Sequence, residues 1–67
     1  MKKYLEYTNA KSNKFWEIEL KGKSTNICYG RIGIKNPAKQ SKSFSSTDLA
    51  KKYYEKKLRE KINKGYQ

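Results

Sequence analysis

The hydrophobic pattern of this 67-residue chain changes period once, near Ser45, and that change constrains the fold more than any other feature. Upstream, apolar residues recur at every second position; downstream, they recur at three- and four-residue steps. Lys14 to Leu20 shows the first period most clearly. Trp16, Ile18 and Leu20 fall on one side and Phe15, Glu17 and Glu19 on the other, the pattern of a half-buried strand. Lys2 to Thr8 repeats it with Lys3, Leu5 and Tyr7 against Tyr4, Glu6 and Thr8. Asn9 to Asn13 is a polar turn. Lys21 to Asn26 contains Gly22 and is expected to fold the second strand onto a third, Ile27 to Ile34, as a hairpin. Lys35 to Lys39 holds Asn36-Pro37, which ends regular pairing, and Gln40 to Phe44 resumes a weaker alternation expected of an edge strand.

Beyond the change of period, Ser45-Ser46-Thr47-Asp48 supplies hydroxyls suited to a helix N-cap, with Ser45 and Asp48 spaced as in a capping box. From about Ser46 to Lys64, Leu49, Ala50, Tyr53, Tyr54, Leu58 and Ile62 form one stripe, while Lys51, Lys52, Lys56, Lys57, Glu60 and Lys61 occupy the remainder. Lys64 suits the carbonyl end of the helix dipole, Gly65 is a C-terminal stop, and Tyr66 is placed to fold back onto the core. The aromatic stripe is the evident cover for the sheet's apolar face, which favours core packing over membrane binding. The expected fold is α+β: a small antiparallel sheet of about four strands with one C-terminal helix across one face, residues 1–67 forming a single domain.

So short a chain has a thin core, and six Tyr, two Phe and one Trp are the residues available to fill it. The single cysteine, Cys28, excludes an intrachain disulfide, and the absence of His removes the usual zinc-ligand sets and imidazole acid-base chemistry. Six scattered carboxylates suggest no paired site, so neither catalysis, a metal nor a cofactor is expected. A reduced, cytoplasmic setting is expected from the cysteine usage, from the lack of an apolar stretch of membrane-spanning length and from a start, Met-Lys-Lys-Tyr-Leu-Glu, without the apolar core of a signal peptide. Seventeen basic residues against six acidic give a formal net charge of +11, which attracts nucleic acid or an anionic surface over long range. Fifteen of the seventeen are Lys, so the two Arg, Arg31 and Arg59, stand out.

Arg31 lies in the most informative stretch. Within Ile27 to Ile34, alternation puts Ile27, Tyr29 and Arg31 on one face and Cys28, Gly30, Ile32 and Ile34 on the other. The second face reads as the apolar one, with Cys28 as buried filler. The first sets a ring beside a guanidinium, with Gly30 between them permitting close approach by a partner, an arrangement suited to a polyanion. Lys35, Lys39 and Lys42 are expected to gather near the tip or edge of the sheet and add phosphate contacts. The same residues also fit an ordinary solvated surface, Tyr29 and Arg31 as decoration and the lysines as protection of an edge strand.

The order of elements and four short words along the chain resemble the WGR domain, found in DNA-dependent poly(ADP-ribose) polymerases and in various bacterial proteins. Lys14-Phe15-Trp16-Glu17-Ile18 is similar to the family's second strand and Tyr29-Gly30-Arg31-Ile32-Gly33 to its name-giving strand. Lys42-Ser43-Phe44-Ser45-Ser46 resembles its approach to the helix, and Lys64-Gly65-Tyr66 its closing motif. The resemblance implies binding at a DNA strand end, with Tyr29 against the terminal sugar, Gly30 giving close approach and Arg31 contacting DNA or a neighbouring domain. Tyr29 stands where the family carries Trp, a smaller ring with a hydroxyl in place of the indole. The expected function is thus a nucleic-acid-binding module, for DNA ahead of RNA, with Tyr29, Gly30, Arg31, Lys35, Lys39 and Lys42 as its contact residues. The alternative is a protein-interaction module docking a neighbouring domain or acidic partner through the Tyr29 and Arg31 face.

Overall fold

The structure, a computed structural model, describes Met1 to Gln67. Four strands, β1 (Lys2–Thr8), β2 (Asn13–Lys21), β3 (Ser24–Arg31) and β4 (Ala38–Ser43), precede one helix, α1 (Thr47–Asn63). The strands pair antiparallel in chain order, a meander in which every connection is local. Asn9 makes the first turn, its Oδ1 accepting the backbone N–H groups of Lys11 and Ser12 at 2.8 and 2.7 Å. The second is a two-residue hairpin turn, Gly22-Lys23, with φ of 56° at Gly22 and no positive φ at Lys23, the pattern of a II′ turn.

That short turn fixes the register, and the register builds the core. Ile18 faces Ile27 and Leu5 faces Trp16 across neighbouring strands, and α1 lays Ala50 and Tyr54 over them. Ile18 is fully buried, which contributes about 1.5–3 kcal/mol relative to exposure. Leu20, Tyr53, Leu58 and Tyr66 pack around this cluster half-buried. The α+β architecture and the edge position of β4 agree with the periodicity.

Four local expectations require correction. The third strand runs three residues earlier than Ile27 to Ile34: it begins at Ser24 and ends at Arg31, after which Ile32 and Ile34 lie exposed in a turn closed by Ile34 N–H donating to Arg31 O. With those isoleucines removed from the strand, the core side of β3 is the Ile27, Tyr29 and Arg31 face, the reverse of the expected assignment. Cys28 is therefore no core filler; it is half-buried on the open face of the sheet, between Glu17 of β2 and Lys39 of β4. The helix cap is Ser46 and not Ser45: Ser46 Oγ accepts Leu49 N–H at 3.2 Å, so Asp48 falls in the first turn and closes no capping box with Ser45. Finally, the covered stripe of α1 is rotated. Leu49 and Ile62 are exposed, whereas Lys57 and Lys61 lie half-buried on the sheet side in sequence with Ala50 and Tyr54.

The C-terminus closes as a Schellman motif. Gly65 N–H donates to Ile62 O at 3.0 Å and Tyr66 N–H to Lys61 O at 3.1 Å, with Gly65 at φ 104°. The motif turns Tyr66 back against Tyr7, ring centroids 5.5 Å apart, and lets Gln67 exchange two backbone hydrogen bonds with Glu6 on the outer edge of β1. β4 keeps the sheet's other edge open, with every residue exposed and Lys39 and Lys42 discouraging edge-to-edge pairing.

Candidate functional site

Register places Tyr29 beside Trp16 and Arg31 beside Lys14, at the end of the covered face that α1 reaches with its last turn. There the Schellman closure delivers Lys61, Lys64 and Tyr66 onto the sheet. The Lys61 ammonium stands 5.8 Å from the Trp16 ring centroid and 5.3 Å from that of Tyr66, and Lys14 stands 5.2 Å from the ring of Tyr7. Tyr29 is 38 % exposed, and it lines two adjoining depressions of about 330 and 260 Å³, the first shared with Lys57, Lys61 and Lys64 and the second with Lys14, Arg31 and Lys61.

Cations dominate this corner, with Glu60 the one carboxylate in its lining. The chain's two ion pairs are Lys2 with Glu17 at 3.8 Å and Lys57 with Glu60 at 3.5 Å, so Lys14, Arg31, Lys61 and Lys64 are in no ion pair. Burial, then the ammonium groups of Lys64, Lys14 and Lys57, hold the Lys61 pKa below the usual lysine range, against an opposing pull from Glu60. The opposite face of the sheet has a different character. It gathers Glu6, Glu17 and Glu19 around a stacked Tyr4 and Phe15 pair with centroids 5.7 Å apart, while no strand residue on the covered face is acidic. Tyr4 Oη donates to Glu6 at 2.8 Å, a hydrogen bond that raises the Tyr4 pKa.

Of the expected contact residues, Tyr29 and Arg31 share one face and one corner. Gly30 offers no open approach to a partner, because the chain itself fills that space: a Cβ there would lie 3.1 Å from Ile34 Cγ2 and 3.7 Å from Pro37. The three lysines do not gather. Lys35 is in the loop after β3, Lys39 projects from the open face opposite Cys28, and Lys42 stands on the covered face opposite Thr25, where its ammonium lies 4.8 Å from the Tyr53 ring. The lysines that do meet Tyr29 and Arg31 are Lys14, Lys57, Lys61 and Lys64. The helical steps from Ala50 through Tyr54 and Lys57 to Lys61, four, three and four residues, carried that signal for Lys57 and Lys61.

Comparison with known proteins is consistent along the chain. A WGR domain profile matches residues 1–67. The uncharacterized protein YfeS of Escherichia coli (strain K12) is 39 % identical over 67 residues, which is the whole chain and 27 % of YfeS. Protein YehF of the same organism is 40 % identical over 60 residues, 90 % of this chain and 22 % of YehF. A crystal structure of a Bacteroides fragilis protein superposes with a TM-score of 0.92 at 38 % identity, covering 98 % of this chain and 18 % of the other. The chain thus spans about a quarter of the length of the curated relatives it matches.

Proposed function

The chain belongs to the WGR domain family, which is generally nucleic-acid-binding, and on that premise we propose that it recognises DNA ends, nicks or phosphate backbone without base specificity. The observation that carries this reading is the cationic corner. Lys14, Arg31, Lys61 and Lys64 stand around the exposed edge of Tyr29 in no ion pair, and the repulsion of Lys61 by Lys64 and Lys14 is relieved by a polyanion. Arg31 supplies a planar fork for phosphate, the lysines supply point charges, and Tyr29 supplies a ring face against a sugar or an unpaired base. The corner's carboxylate, Glu60, is engaged by Lys57 at 3.5 Å, so contacts to the backbone position the ligand without reading its sequence. In this reading the domain binds and does not catalyse, and it works in the cytoplasm; no helix is long and apolar enough to cross a membrane.

The test is a fluorescence-anisotropy titration against blunt duplex, 5′-phosphorylated nicked duplex, closed circular duplex and single-stranded DNA at two salt concentrations. Tighter binding to ends or nicks, lost in Arg31→Ala and Tyr29→Ala, is the expected result. Equal, salt-sensitive binding to all four that both variants retain would reduce the site to general electrostatic attraction. No binding at physiological salt would transfer the Tyr29 and Arg31 corner to docking of a protein partner.

A further inference from the structure

α1 crosses the sheet over β2 and β3 and leaves a groove along the β4 side. The depression that holds Tyr29 and Lys57 shares Ile27, Gln40 and Tyr53 with a second one of about 330 Å³, so the groove continues from the cationic corner toward the start of the helix. At its far end lies Thr25, 1 % exposed, whose Oγ1 is buried and has no hydrogen-bond partner in the protein. A buried hydroxyl without a partner is uncommon in a folded chain, and this one borders a depression that Gln40 and Lys42 line together with Ile27 and Tyr53. Lys42, directly across from Thr25 in the register, forms the rim; its ammonium rests 4.8 Å from the Tyr53 ring and 5.6 Å from that of Phe44 and is in no ion pair. On the other side of Tyr53, Lys57 stands 5.5 Å from the same ring. Gln40 adds an amide between the two ends, and no carboxylate borders the Thr25 end.

We propose that this groove carries a single, unpaired strand of nucleic acid onward from the Tyr29 and Arg31 corner, with Thr25 and Lys42 as its far subsite. This deepens the reading above and rests on it. Lys42, Lys57 and Lys61 lie in order along the groove, Lys57 being shared with Glu60 at 3.5 Å, and the unpartnered Thr25 hydroxyl lies beneath its far end, where a splayed base edge or phosphate oxygen, but not a base-paired one, can be presented to it. The ligand is therefore a strand end with an overhang, and a blunt end fills only half of the site.

The experiment compares a blunt duplex with the same duplex carrying a short 5′ or 3′ overhang, by fluorescence anisotropy, for the parent chain, Thr25→Val and Lys42→Gln. The parent chain is expected to prefer one overhang roughly tenfold. Thr25→Val, which keeps the side chain's shape, is expected to lose roughly three- to tenfold on the overhang and stay within about twofold on the blunt duplex, with no fall in melting temperature. Lys42→Gln is expected to lower the salt slope on the overhang by about 0.7. Equal affinity of the parent chain for both duplexes, or equal losses on both in Thr25→Val, would overturn the groove and leave the cationic corner standing. Binding to overhangs and to free single strands, without binding to blunt ends, would support the groove and reject end recognition at the corner. Absence of binding to every probe would overturn both.

Discussion

Replacing Arg31 with Ala separates a built site from the general attraction of a +11 chain, because Lys39→Ala removes the same charge from the opposite face. Four cations without ion-pair partners, Lys14, Arg31, Lys61 and Lys64, surround Tyr29. If each neutralises one phosphate of a duplex, log affinity falls against log salt with a slope of about −3.6, an affinity loss of about 150-fold between 50 and 200 mM salt. Arg31→Ala is expected to reduce the slope to about −2.7, so that the same change of salt costs only about 40-fold. Its affinity at low salt should fall by about tenfold as a charge-assisted hydrogen bond is lost. Arg31 is exposed and donates no hydrogen bond to another side chain, so the melting temperature should not move. Anisotropy titrations of the three proteins at four salt concentrations measure the slopes. Equal slopes in Arg31→Ala and Lys39→Ala would refute a local site, since net charge alone would then set the affinity.

Other consequences can be checked mainly by unfolding measurements. Ser46→Ala should cost about 1 kcal/mol in urea unfolding, whereas Ser45→Ala should cost almost nothing, because only Ser46 Oγ accepts from Leu49 N–H. Ile18→Ala should remove about 2–5 kcal/mol, enough to leave a domain of this size largely unfolded near 37 °C by circular dichroism. Lys61→Met keeps an unbranched stem on Trp16 while removing a charge that sits among Lys57, Lys64 and Lys14, so it should stabilise the free domain at neutral pH and weaken nucleic-acid binding. The pH dependence has a definite sign. The folded-state pKa of Lys61 lies below its usual 10.5, so the unfolded chain holds the proton more tightly and the parent's stability rises as pH climbs toward 10. Lys61→Met should lose that rise. Above pH 10, burial of the Tyr54 phenol raises its pKa and favours the unfolded phenolate, so both proteins should lose stability together.

The architecture was legible because each element's own period suffices to define it. Alternation in β1 and β2 assigned Leu5, Trp16 and Ile18 to one side correctly, since a charge or polar group stands at nearly every other position. β3 was different. Read from period alone, the stretch Ile27 to Ile34 carries apolar residues on both faces, Ile27 on one and Cys28, Ile32 and Ile34 on the other, so period does not say which side is buried. The decision came from pairing: the two-residue turn at Gly22-Lys23 sets Ile18 against Ile27, and that side must face the helix because Trp16 and Ile18 already do. The same limit applied to the lysines. Lys35, Lys39 and Lys42 are neighbours in sequence and diverge in space, because β4 sends Lys39 and Lys42 to opposite faces.

By itself, then, the sequence determined the elements, their order, the antiparallel meander and the Tyr29-Arg31 pairing on a strand, all of which depend on contacts between residues close along the chain. Only the tertiary structure decided which face of β3 is covered and which cations surround Tyr29. Lys14 comes from the start of β2 and Lys61 and Lys64 from a helix end far along the chain, and they meet because the helix must bury Ala50 and Tyr54 on the sheet and the Gly65 turn then directs its last residues to that corner.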